Sequence, residues 1–105
     1  LLVLAEEYRI LPELKRGVSR AGAYAWLNYG VALEKTGDPR GAESAYLRAL
    51  AADPGMADAH YNMAILYWTR DQARVREELA AALAADPGHR QAAYYLRRLT
   101  AGRKE

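Results

Sequence analysis

Apolar residues recur along most of the chain at helical spacing, and the recurrence itself repeats. Trp26, Tyr29 and Leu33 fall at i, i+3 and i+7, one face of a helix. Thr36-Gly37-Asp38-Pro39 then breaks the pattern. Asp38 suits the cap of a following helix, and Pro39 its first position, where a missing N–H costs nothing. The next stripe runs Ala42, Ala45/Tyr46, Ala49/Leu50 and stops at Asp53-Pro54-Gly55. Pro54 pushes Asp53 out of the helical region and Gly55 supplies the turn. A second stripe pair follows: His60, Ala64 and Tyr67, then Val75, Leu79 and Ala82, ending at Pro87.

The two stripe pairs are copies of one unit. The heptapeptide ALAADPG occurs at Ala49–Gly55 and again at Ala82–Gly88, 33 residues on, while Ala23, Ala25 and Asn28 match Ala57, Ala59 and Asn62 at an offset of 34. One residue is therefore lost between the copies. The loop is where loss is tolerated, and there Lys35–Pro39 faces the shorter Thr69–Gln72. A period of this length marks stacked helical hairpins. The pattern predicts repeat 1 over 23–56, repeat 2 over 57–89, a partial third unit over 90–102 ended by Gly102, and a frayed tail over 103–105. Residues 1–22 do not fit the repeat. Leu4, Tyr8 and Leu11 make a stripe that Pro12 interrupts and Leu14 and Val18 continue less clearly, which predicts a helix or broken helix ending near Gly17, either a degenerate repeat or a cap. An array of two and a half units needs cover at both ends.

Composition narrows this picture only slightly. A chain of 105 residues holds one domain. Its 22 alanines favour helix, and its average apolar and charged fractions argue against disorder. The lack of cysteine excludes a disulfide framework and a thiolate metal site. The net charge of +2 comes from an excess near Arg97, Arg98, Arg103 and Lys104. That reads as a solvated helix end, since a phosphate or anionic-lipid patch needs a broader basic face with aromatics interleaved. No apolar run is long enough to cross a membrane, and the opening LLVLA meets Glu6 and Glu7 at once, unlike a signal peptide. A first residue of Leu rather than Met is expected of a fragment or processed product. The compartment stays open between cytoplasm and periplasm. Twelve Arg to three Lys, with high alanine, looks like a GC-rich bacterial source.

Candidate chemistry is sparse. His60 falls on the packing stripe, as a core residue would. His89 falls in the Pro87-Gly88 turn, expected exposed and without a carboxylate neighbour. Glu77 and Glu78 are adjacent on a helix and face different directions. No Gly-rich phosphate loop, Ser/His/Asp set or metal-ligand spacing is present. The expectation is a chain with no catalytic residue, cofactor or metal.

The unit resembles the tetratricopeptide repeat. Trp26, Tyr29-Gly30, Leu33, Ala42, Tyr46, Ala49 and Pro54 stand at that family's spacings, and the likeness covers residues 23–102. Gly30 costs about 1 kcal/mol inside a helix, so it is expected where the paired helix comes closest, with Ala42, Ala45 and Ala49 as the small facing residues and Trp26 and Tyr46 in the wider parts. In the second unit His60 replaces Trp26, Ala64 replaces Gly30 and Tyr67 replaces Leu33.

The resemblance implies an all-α, right-handed superhelix of antiparallel helical hairpins, about two and a half repeats plus an N-terminal helix, with the first helix of each hairpin lining a concave face. The concave positions it implies are Tyr24, Leu27, Asn28, Val31 and Lys35; then Asp58, Tyr61, Asn62, Ile65 and Trp68; then Gln91, Tyr94, Tyr95 and Arg98. Leu27 and Val31 stand where chaperone-binding members carry Lys and Asn, so the carboxylate clamp of those members is broken here. Such a surface suits an amphipathic helix or an extended apolar segment. Two readings follow. One is a protein–protein interaction module with a protein or peptide partner, and without nucleic acid or direct membrane insertion. The other is a structural or self-associating appendage of a larger protein, its groove filled by the same polypeptide or by a second copy.

Overall fold

The computed structural model describes residues 12–102, and side chains over 21–101. Five helices follow in order: α1 Pro12–Lys35, α2 Pro39–Ala52, α3 Ala57–Tyr67, α4 Gln72–Ala85 and α5 Arg90–Gly102, with no strand among the described residues. Connections of three or four residues turn each helix back beside the last. The closest pairings are α1 with α2 and α3 with α4; α2 against α3 and α4 against α5 join the hairpins more lightly. This is an all-α helical-repeat solenoid.

The punctuation works through named hydrogen bonds. α1 ends in a Schellman motif: Gly37 takes φ +83°, its N–H donates to the Glu34 carbonyl at 3.1 Å, and the Asp38 N–H donates to the Leu33 carbonyl at 2.8 Å. Asp38 then caps α2 by accepting from the Gly41 N–H at 3.0 Å. The connection between α3 and α4 lacks the glycine, but Asp71 keeps the cap, accepting from the Arg74 N–H at 3.2 Å. Both copies of ALAADPG have the same geometry. Asp53 and Asp86 are extended at φ −143° and −142°, and each accepts through Oδ1 from the glycine N–H two residues on, at 3.2 and 3.0 Å. The heptapeptide recurs because it is a helix end with its stop.

Tyr46, Met63, Val75 and Leu79 are the largest wholly buried side chains, packed with Ala23, Ala42, Ala49, Ala59, Ala64 and Ala82. Gly30 does mark a near approach, but it faces the ring of Tyr46. A Cβ built there would lie 2.6 Å from Tyr46 Cδ1, well inside contact distance. Trp26 is half-buried against the core, with the Arg48 guanidinium 4.9 Å from its ring centre.

Several expectations are corrected. α1 does not end near Gly17. It runs unbroken from Pro12 into the first repeat's helix. Pro12 is its first residue, a position helices tolerate for proline, and interior glycines lower helix stability without ending the helix. Tyr29 does not share the packing stripe. It is 54% exposed, and the buried face of α1 reads Ala23, Leu27, Gly30 instead. Leu4, Tyr8 and Leu11, and the tail 103–105, lie outside the described residues.

Candidate partner groove

The first helices of successive hairpins, α1, α3 and α5, bring one set of side chains together. Val31, Glu34 and Lys35 of α1, Tyr61, Asn62 and Ile65 of α3, and Tyr95 of α5 line an open concavity of about 380 Å³ whose floor is Tyr46 of α2. Ile65 is 37% exposed in its wall. Six expected positions, Val31, Lys35, Tyr61, Asn62, Ile65 and Tyr95, thus converge.

The floor is polar. The Tyr46 hydroxyl donates to Glu34 Oε1, joining the two helices of the first hairpin. Burial, then the Glu34 carboxylate, push the Tyr46 phenol far above its ordinary pKa, while the Asn62 amide acts in the opposite direction. Burial and the neighbouring Tyr95 push Tyr61 upward as well. The α5 wall is aromatic. Tyr95 packs edge-on to Trp68 at 5.2 Å and to Tyr94 at 5.0 Å, and lies 6.4 Å from Tyr61. Trp68 is therefore a buttress behind Tyr95. Tyr24, Asn28, Gln91, Tyr94 and Arg98 are exposed but stand outside the concavity, and Arg98 lies over the Tyr94 ring at 5.5 Å.

Leu27 is corrected. At 7% exposure it belongs to the core, because it follows Ala23 by four residues and precedes Gly30 by three, on the face that meets α2. Asp58 is exposed yet engaged: its Oδ1 lies 2.9 Å from His89 Nε2. His89 is corrected too. It is 7% exposed, and its Nδ1 accepts from the Ala92 N–H at 3.2 Å, which caps α5. His60 is no apolar substitute for tryptophan. Half-buried, it sits 2.9 Å from Glu78 Oε1 and 3.2 Å from the Pro54 carbonyl. Glu78 also meets Arg74, whose guanidinium donates to the Tyr67 hydroxyl at 3.1 Å, and that hydroxyl donates to Glu43. This chain of polar contacts ties α2, α3 and α4 together.

Sequence reasoning missed Glu34 and the Tyr46 floor as parts of the site. The signal was present: a wholly buried tyrosine needs a partner for its hydroxyl, and Glu34 follows Gly30 by one helical turn. Among the described residues no group of His, Asp and Glu is arranged to hold a metal ion, and no helix is long and apolar enough to cross a membrane.

Paired helices that repeat and enclose a shared concavity define the class as a helical-repeat solenoid. Residues 25–66, from within α1 through most of α3, match the family model for the tetratricopeptide repeat. Repeats of this kind are generally non-catalytic protein-interaction modules. No curated protein matches the chain.

Proposed function

We propose that this chain is a non-catalytic interaction module that holds an apolar or amphipathic partner segment in the groove between α1, α3 and α5. The observation that carries the reading is the convergence of Val31, Tyr61, Ile65 and Tyr95 on one open concavity above a polar floor. Its volume of about 380 Å³ accepts a few side chains of a bound segment. Asn62 beside them offers an amide to a ligand backbone. Leu27 and Asp58 take no part, one buried and the other engaged by His89.

Ile65→Asp tests the reading. Ile65 is partly exposed, so a charge there leaves the fold intact while spoiling an apolar contact. Short peptides selected from a displayed random library on the native chain are expected to lose binding to Ile65→Asp by at least about tenfold, at unchanged helicity. Undiminished binding contradicts the groove.

A second reading, self-association, draws support from the other end of the array. Leu83 of α4 with Ala93, Leu96, Thr100 and Ala101 of α5 border an apolar concavity of about 510 Å³. A molecular mass that rises with concentration, and falls back in Leu96→Asp, is the expected outcome under that reading.

A further inference from the structure

The groove has a charge to match as well as an apolar wall. Glu34 lines it, and one carboxylate oxygen, Oε1, is taken by the Tyr46 hydroxyl. Among the described residues no cation lies within ion-pair distance of Glu34, and Oε2 has no hydrogen-bond partner. No buried side-chain oxygen among them lacks a partner, so Oε2 must reach solvent. The carboxylate is held in place from behind and open in front. Lys35 shares the concavity, but it is exposed and free to extend into water, where its charge is screened.

The aromatic rings add a second observation. Three rings outside the groove carry arginines of the chain, Arg48 over Trp26, Arg70 and Arg74 over Tyr67, and Arg98 over Tyr94, while Tyr24, Tyr29 and Trp68 carry none among the described residues. Tyr61 and Tyr95, the two tyrosines in the groove wall, have no lysine or arginine over them among the described residues, although the His89 ring lies against Tyr61 at 5.1 Å. A cation over a tyrosine ring gains roughly 0.5–2 kcal/mol, more as water is excluded, and a carboxylate lining the same concavity adds to it.

We propose that the partner segment presents a lysine or arginine flanked by apolar residues, its charged head seated between the Tyr61 and Tyr95 rings and Glu34. This rests on the groove reading above and specifies its occupant. A segment led by an acidic side chain would bring like charge against Glu34.

The probe is again a displayed library of short random peptides, selected on the intact chain. The expected binders carry Lys or Arg between apolar residues. Replacing that Lys or Arg of a selected peptide by Leu weakens it about tenfold on the native chain and hardly at all on Glu34→Gln. Gln still offers an oxygen to the Tyr46 hydroxyl, so Glu34→Gln keeps the floor, and its melting midpoint confirms that. Groove-dependent binders that lack a basic residue, or that favour acidic ones, overturn this inference and leave the groove reading standing. Equal binding of the basic and Leu peptides to the native chain does the same. No binders, or binders indifferent to Ile65→Asp, bring down the groove reading and this inference with it.

Discussion

A methyl group added to Gly30 would overlap the ring of Tyr46, which is wholly buried and has nowhere to move. Gly30→Ala is therefore expected to lower the unfolding free energy by about 1–3 kcal/mol, although alanine is the better helix former by about 1 kcal/mol. The second hairpin points to the compensation. There Ala64 and Leu79, both wholly buried, stand at the places of Gly30 and Tyr46. Combining Gly30→Ala with Tyr46→Leu should recover more than the sum of the single changes allows, a coupling of about 1 kcal/mol or more by urea titration. Gly22→Ala has the opposite sign. Nothing lies within 4 Å of the added methyl, so a gain of about 0.5–1 kcal/mol is expected. Tyrosines also set a limit in alkali. Burial, then Glu43, push Tyr67 up to about 12, and Tyr46 and Tyr61 shift the same way. The folded chain thus keeps protons that the unfolded chain loses near its ordinary tyrosine value of about 10. These groups contribute stability that is full below that pH and lost as pH rises through the folded values. The melting midpoint should fall between about pH 10 and 12, and less steeply in Tyr67→Phe.

Each helix finds its partners chiefly among its neighbours in sequence, so local damage should stay local. Trp68 links α3 to α5 through Tyr95. Trp68→Ala is expected to raise amide hydrogen exchange throughout α5 and leave α1 and α2 unchanged. Faster exchange across all helices would show a more cooperative fold than the packing implies. For the same reason Trp68→Ala is a poor probe of binding, whereas Ile65 has no such structural duty. Element boundaries were largely legible because helix ends are written in short-range chemistry, as in the Asp38 and Asp71 caps and the two ALAADPG stops. The continuity of α1 was not. Pro12 and Gly17 look like breakers, yet a proline in a first turn and a glycine within a helix are both compatible with α1. His89 was misread because its partner Asp58 lies 31 residues away, a proximity created only when α5 settles beside α3.

The whole molecule turns a one-dimensional repeat into a surface. Positions recurring once per unit, such as Val31 and Ile65, become neighbours across stacked helices, which is why the resemblance located most of the concavity's lining but not Glu34 or Tyr46. It misplaced Leu27 because the family's register sets the face of a helix only to within one residue, and here that residue meets α2. The repeat also stops being exact at α5. Arg97 stands where ALAADPG-to-ALAADPG spacing places Ala64, so a helix packed as α4 is on α3 would meet a guanidinium there. The most direct measurement of the account is a map of backbone and side-chain chemical-shift changes as a selected peptide is titrated into the native chain. Changes concentrated at Val31, Glu34, Tyr61, Asn62, Ile65 and Tyr95 are the predicted result. Changes concentrated on Leu83, Leu96 and Thr100, or on the outward faces of α2 and α4, would contradict it.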